Sequence, residues 1–430
     1  MRIVLRHQNT IEIIIIIVVF IVVNLLSTAF QQPLSYHEGK GWDGVSYYGV
    51  AEQLSQGQLP EEQAPFVYRI GTPFLAALFF KHNLLLGFKV VNIIASIVAV
   101  ALFVVWLRLY ISNWKIRTLL VILFITQWHA PMRYAYFMPV ETHSWLFVFL
   151  LAGLIVIHKA KTRRTPIVIC TLCLITLVGV FFRETAILVP IALLFAANPF
   201  KYENCSLSSV RIGKRPPLIF FIPLLLGIIG IATVHLIASQ TNDYSYMTEA
   251  ARWAYNKPLL TYVLAWFIAF GPITIVLVYD WRRALTFLGD HQFQLLDLIL
   301  IAVLAWIGGG DTEKFVYWSM PVIYLLIGRA LENNASLLRS PLFIAVLGLS
   351  QCISQRLIWT TPDYPGVSSH SLPILTPVGS NVPFLDLWSI WGSRLVEGVS
   401  LLQYLFLGLL LLVWLNYRAG KLRNTSNKVM

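Results

Sequence analysis

The chain has 430 residues, 57% of them hydrophobic and 12% charged, with a mean hydropathy of +0.72 and a formal net charge of +12. Those values exclude a soluble domain of ordinary composition and describe a polytopic membrane protein. The positive charge reads as loop Lys and Arg beside an anionic inner leaflet, and no basic run interleaved with aromatics in a soluble segment suggests a nucleic-acid partner.

Apolar stretches long enough for the roughly 20 residues of a spanning helix recur from end to end. Twelve spans are predicted, at about 11–30, 86–107, 117–136, 142–158, 166–182, 184–198, 217–238, 259–279, 293–308, 315–331, 340–358 and 396–416. The first is long and has no small-residue cleavage site before Gln31, so it reads as a retained span and not as a cleavable signal peptide. With the N-terminus in the cytoplasm, the short inner loops hold Arg2 and Arg6, Arg108 to Arg117, Lys159 to Arg164, Lys201 to Arg215, Arg282 and Arg283, Arg329 and Arg339, and the basic C-terminus from Arg418. Most of the Lys and Arg then lie inside, the bias that sets orientation, and both termini are expected to be cytoplasmic. The acids run the other way: apart from Glu12, Glu203, Asp280, Asp290, Asp297 and Glu332, they fall toward the outer side. Acids contribute little to orientation, so their concentration points to an outward-facing polar site.

The first outer loop, 31–85, contains Glu38 and the run Trp42-Asp43-Gly44. A carboxylate in a partly desolvated outer cleft can act as a general base toward an acceptor hydroxyl, which makes Asp43 the first candidate and Glu38 the second. Five residues apart, they would lie about 140° apart around an ideal helix, so they pair only in a loop. The competing reading makes Asp43 the N-cap of a helix from 44 to about 54, with Tyr47 and Tyr48 as interfacial aromatics. Residues 74–80 form an apolar segment too short to span, read as interfacial or re-entrant.

Farther along, Arg133 and Glu141 sit at the outer ends of the third and fourth spans, and Arg183-Glu184 joins the fifth to the sixth. Charges at a membrane boundary are paired or functional, so a local Arg183–Glu184 ion pair competes with a catalytic role. Gly308-Gly309-Gly310-Asp311 precedes Lys314. A plain N-cap accounts for Asp311, whereas three successive glycines suggest a turn that faces a ligand. Residues 354–395 form a late outer loop rich in Pro, Ser and aromatics, including Trp359, Trp388 and Trp391, suited to stacking on sugar rings or to interfacial anchoring. The whole chain, 1–430, reads as one integral membrane domain.

Cys170 and Cys173 form a CxxC inside an apolar run, without the polar surroundings that a zinc or redox site needs. They read as small residues packing between helices, and no disulfide framework is implied. The N-x-[ST] sequences at Asn204, Asn334 and Asn424 fall on the predicted inner side, which fits a bacterial plasma membrane.

Three segments carry a resemblance: Trp42-Asp43-Gly44 with Tyr47-Tyr48, Tyr68-Arg69-Ile70-Gly71-Thr72-Pro73, and Gly310-Asp311 with Lys314, Trp318 and Pro321. Together with the topology, they resemble the GT-C superfamily of polytopic glycosyltransferases. The chain looks most like bacterial relatives of the polyprenyl-phosphate-sugar mannosyltransferases, including those similar to the GPI mannosyltransferases, whose first luminal loop carries a comparable Trp-Asp. The resemblance implies an all-α, GT-C-like transmembrane fold with short interfacial helices in the first outer loop. It also implies an inverting hexosyltransferase of the inner membrane, working on the extracytoplasmic face with a polyprenyl-phosphate-linked sugar and a glycan, lipid or protein acceptor. A lipid donor agrees with the lack of a GxGxxG or P-loop sequence.

Carried over by position, Asp43 would be the base, with Asp311 or Glu38 as an acceptor-binding or auxiliary acid; Glu141 and Glu184 are further candidates for that role. Arg69, Arg133, Arg183 and Lys314 match no family position uniquely and are candidates for gripping the donor phosphate, because Arg forks and Lys point charges suit phosphate oxygens. Many members carry two acids separated by one residue, and neither Asp43-Gly44-Val45 nor Glu38-Gly39-Lys40 does. No metal ligand or cofactor is therefore assigned, and a divalent metal stays open. A lipid-linked glycan polymerase or ligase relying on the late loop, a lipid or sugar transporter, and a non-catalytic assembly subunit are the alternatives. Transporters usually show internal repeats and broken mid-bilayer helices, and no repeat between the halves is evident.

Overall fold

The computed structural model describes residues 2–31, 34–127, 129–162, 166–196, 200–202, 210–212, 216–335, 340–354, 401–402 and 405–417. Among these the protein is α-helical, with two small strand pairings, 61–62 with 239–240 and 200–202 with 210–212. The helices Gln8–Phe30, Leu84–Arg108, His143–Ala160 and Leu218–Ile237 are each long and apolar enough to cross a membrane. Trp281–Asp290 and Gln292–Ile307, bent by 111° at His291, make a fifth if counted as one broken span. The described residues thus form an all-α structure with four or five helices able to cross a membrane.

Burial orders these helices around a centre. The apolar window of His143–Ala160 is 72% buried and that of Gln8–Phe30 only 6%, so the first helix lies on the outside and the second forms the middle. The central helix packs against Leu84–Arg108 on one side and Pro166–Phe182 on the other. Pro166–Phe182 coincides with the predicted fifth span. Cys170 is exposed on it, so interhelical packing accounts only for the half-buried Cys173.

Several apolar runs are divided. Residues 117–136 fold as helix Trp114–Thr126, an irregular turn and helix Pro131–Phe137. Residues 259–279 fold as Leu259–Phe270 and Thr274–Tyr279, broken at Gly271, whose φ is 70°, and Pro272. Residues 315–331 are shared between Thr312–Tyr317 and Met320–Asn333, and Pro321 lies in the first turn of the second helix. Proline lacks the N–H that an α-helix interior needs and is tolerated in a first turn, so these breaks follow from single residues that hydropathy does not register.

The segment predicted as the first outer loop contains two short helices, Gly44–Ser55 and Gly71–Phe79; the second exposes Phe74, Leu78 and Phe79. Most of the late loop, 354–395, falls outside the described residues, as do Asn204 and Asn424.

Two polar layers cap the bundle. At one end, Arg117 donates to Glu12 through Nε at 2.9 Å and Nη2 at 2.7 Å, and Arg108 Nη2 donates to the same carboxylate at 3.0 Å. At the other, Asn92 Nδ2 donates to the carbonyls of Pro139 and Glu141, both at 2.9 Å. Asn92 and Arg108 share one helix, so the layers are roughly 24 Å apart at 1.5 Å per residue, somewhat less than the roughly 30 Å hydrocarbon thickness of a bilayer.

Candidate functional site

The layer around Asn92 collects charges from five parts of the chain. Glu141, 1% exposed, lies at its centre in the turn between helices Pro131–Phe137 and His143–Thr162. Lys314 Nζ approaches its Oε2 at 3.1 Å; His143 Nδ1 and Arg183 Nη1 approach Oε1 at 3.2 and 3.6 Å. The Thr142 N–H donates to Oε1 at 3.1 Å. Burial opposes the carboxylate, but Lys314, His143 and Arg183 hold Glu141 well below the usual carboxylate range. Burial likewise works against the Lys314 ammonium, and Glu141, Asp311 and Asp43 overcome it to raise the amine.

Arg183 and Glu184 do not pair with each other. Arg183 has an extended backbone, φ −161° and ψ 129°, and in extended chain successive side chains point to opposite faces. Arg183 turns to Glu141 and to the Thr142 hydroxyl at 3.3 Å, with its guanidinium 4.7 Å from the centre of the Trp318 ring. Its Nε has no hydrogen-bond partner among the described residues. Glu184 instead receives a bidentate pair from Arg69, Nε to Oε2 at 2.9 Å and Nη2 to Oε1 at 2.6 Å. Arg69 Nη1 donates to the Tyr47 hydroxyl at 2.7 Å. Tyr47 is fully buried, which corrects its reading as an interfacial aromatic. With all three of its nitrogens engaged, Arg69 supports the site from behind.

Asp43 occupies the N-cap position of Gly44–Ser55, as the helix reading expects, yet its side chain makes no capping bond. It is half-buried, and its carboxylate has neither a hydrogen-bond nor an ion-pair partner among the described residues. Gly44 allows this placement: a Cβ there would stand 2.8 Å from the Val140 carbonyl oxygen, so only glycine lets the helix start lie against the strand of chain leading to Glu141. Burial pushes the Asp43 carboxyl up to about 6; Lys314 counteracts, Glu141 and Asp311 add to the rise, and Arg69 opposes it more weakly. The result is a carboxylate without a partner among the described residues that exchanges a proton at about pH 6, within the field of Lys314 and Arg69.

Asp311 is the N-cap residue of Thr312–Tyr317, also without a capping bond, and its Oδ2 lies 3.8 Å from Lys314 Nζ. The glycine turn before it has an internal cause. Gly309 takes φ 130°, and its carbonyl, with that of Ala305, accepts from the buried Lys257 Nζ at 2.7 and 2.6 Å. Gly309 therefore has a structural reason of its own in this turn.

Two candidates stand apart. Glu38 lies in a turn with φ 59°, its side chain 90% exposed and 3.8 Å from Lys40 Nζ. Arg133 turns back to donate to the Thr126 carbonyl at 3.1 Å, bridging the break before its own helix. His143 and Lys257 belong to the cluster without having been singled out in the sequence, and Trp318 entered only among the residues that carry the resemblance. Lys257 lies in no recognisable motif, and the signal that could have found His143 is its place two residues after Glu141. Among the described residues no three His, Cys, Asp or Glu side chains converge closely enough to hold a metal ion. Neither a protein-family model, nor a curated protein, nor a solved structure matches this chain.

Proposed function

We propose that the protein is an inverting GT-C-type glycosyltransferase that takes a hexosyl group from a polyprenyl-phosphate sugar on the extracytoplasmic face of the plasma membrane. The observation that carries this reading is the half-buried Asp43 carboxylate, unpartnered among the described residues and with its pKa raised to about 6, in the field of Lys314, whose neighbour on Glu141 is Arg183. Asp43 removes the proton from the acceptor hydroxyl while that oxygen attacks the anomeric carbon. The bond from the anomeric carbon to the phosphate oxygen breaks, and the phosphate leaves with both electrons toward Lys314 and the free Nε of Arg183. Positioning and stabilisation of the departing anion supply most of the rate.

Glu141 holds both cations in place, and Asp311 is the acid best located to orient an acceptor. Arg69 and Glu184 hold the first outer loop against the start of the 184–193 segment. The topology that goes with this reading has twelve crossings, several of them broken helices, with both termini cytoplasmic and the Asp43 layer outside. Membrane lipids and a glycan, lipid or protein acceptor are its partners.

The test is transfer of labelled sugar from a panel of polyprenyl-phosphate sugars by the purified protein in nanodiscs, with Asp43→Asn as comparison. Transfer by the wild type that falls by orders of magnitude in the variant supports the proposal. Equal transfer by both removes Asp43 from the chemistry.

A further inference from the structure

A cavity lies at the end of the bundle opposite the Glu141 cluster. It measures about 530 Å³ and is lined by Tyr110, His158, Asp280, Arg283, Phe287, His291 and Arg329, among others. His158 belongs to the same helix as His143, so this cavity is roughly 22 Å along that helix from the Glu141 cluster at 1.5 Å per residue. We propose that it binds the phosphate of an anionic lipid head group at the inner membrane surface.

Two carboxylates, Asp280 and Asp290, line the cavity beside Arg283 and Arg329. Asp280 is already engaged: Arg283 Nη1 lies 3.3 Å from its Oδ1, and Asn333 Nδ2 donates to its Oδ2 at 2.8 Å. Arg329 makes no hydrogen bond or ion pair among the described residues, and its guanidinium rests 4.4 Å from the centre of the Phe287 ring. A ring face holds a guanidinium in position without using its N–H donors. Arg329 therefore presents a complete donor fork to the cavity, the arrangement that suits two phosphate oxygens at once. Tyr110 and His158 hydrogen-bond to each other at 2.7 Å and wall the cavity opposite the basic helix.

The wall of the cavity favours a lipid over a soluble phosphate. Helix Trp281–Asp290 buries Phe287 and Leu288 toward the bundle while exposing Trp281 and Leu285, one turn apart, on its outer face. A short basic amphipathic helix with outward Trp and Leu lies in a membrane interface. The sharp bend that joins it to Gln292–Ile307 turns it across the end of a membrane-crossing segment. A lipid lying against the outer face of this helix can place its head group in the cavity. The volume falls within the range of small-molecule sites.

The experiment measures phospholipid retained by the full-length protein after delipidation and exposure to vesicles of phosphatidylcholine, with or without phosphatidylglycerol. Retention is read by native mass spectrometry, with inorganic phosphate as a competitor. The wild type is expected to retain phosphatidylglycerol selectively. Arg329→Gln is expected to weaken it about tenfold or more, as loss of a charge-assisted pair implies, and Arg329→Lys is expected to recover part of it. Melting temperatures in phosphatidylcholine alone control for folding and should match among the three proteins. Equal retention in wild type and Arg329→Gln, or no selectivity for the anionic lipid, overturns the proposal. Saturation by inorganic phosphate with no lipid retained overturns the lipid source and assigns the cavity to a soluble phosphate. No outcome depends on sugar transfer, so this test stands or falls separately from the outer site.

Discussion

Replacing Asp43 with Asn separates a catalytic carboxylate from a structural one, because the two roles predict opposite effects on stability. The folded protein holds the Asp43 proton up to about pH 6, against 3.8 for the unperturbed group. A carboxyl whose pKa is raised on folding favours the folded state only while protonated. The unfavourable contribution is absent below the unfolded value, grows between about pH 4 and 6, and is constant above that window. Converted at 1.36 kcal/mol per pH unit, the difference is about 3 kcal/mol, and partial exposure of the side chain reduces it to roughly 1–2 kcal/mol. Asp43→Asn removes a charge that the fold tolerates poorly and deletes no hydrogen bond. Its melting temperature in detergent should equal or exceed that of the wild type at neutral pH, and the gain should vanish toward pH 4. Sugar transfer should drop by about 10²- to 10⁴-fold, the usual contribution of a general base, and the wild-type rate should rise with pH through a limb near 6. A variant that melts lower at neutral pH, or a wild type with no such limb, would refute the assignment of Asp43 as a base and leave it a structural residue.

Four further outcomes follow from the geometry. Arg69→Ala or Glu184→Ala should each cost about 3–5 kcal/mol by stranding a buried charge, and a double-mutant cycle on chemical unfolding should find the double variant much less damaged than the sum. Gly44→Ala should lower transfer more than it lowers stability, because a Cβ 2.8 Å from the Val140 carbonyl oxygen displaces the Asp43 turn; equal losses would point to general unfolding. Lys257→Met should cost about 1–3 kcal/mol by leaving the Ala305 and Gly309 carbonyls without a donor, and hydrogen exchange should then increase at 309–312. In a cysteine-free background, Glu38→Cys should react with an impermeant thiol reagent from outside intact cells and Asn333→Cys only after lysis; the reverse pattern would invert the topology.

The sequence reading located much of the candidate cluster for a simple reason. A chain with so few charges leaves only a handful at the helix ends on one side of the bundle, and those ends share one layer. Asp43, Arg69, Glu141, Arg183, Glu184, Asp311 and Lys314 meet there in ion pairs or through the field that acts on Asp43. Pairing was not legible. Neighbours in sequence suggested Arg183 with Glu184, and the extended backbone at Arg183 sends them to different partners. Glu38 fell away because left-handed φ values at His37 and Glu38 make a tight turn at the surface. Arg133 fell away because its helix starts after a break whose carbonyl it must satisfy. Helix lengths were illegible for the same kind of reason: hydropathy counts Pro272 and Pro321 as ordinary members of apolar runs, and the backbone does not.

The ion cluster that joins Glu12 to Arg117 and Arg108 bears on how the chain is assembled. Glu12 precedes Arg117 by 105 residues, so at usual synthesis rates the carboxylate emerges on the order of 5–20 s before its main partner. An isolated carboxylate is not drawn readily into hydrocarbon, and the first helix has little buried surface to hold it against its neighbours before then. Insertion of that helix and its docking are therefore separate events. The helix enters first, waits with Glu12 at the aqueous boundary, and closes onto the bundle once residues 108–117 arrive, so a nascent chain stalled before that point should leave its first helix free to diffuse in the bilayer.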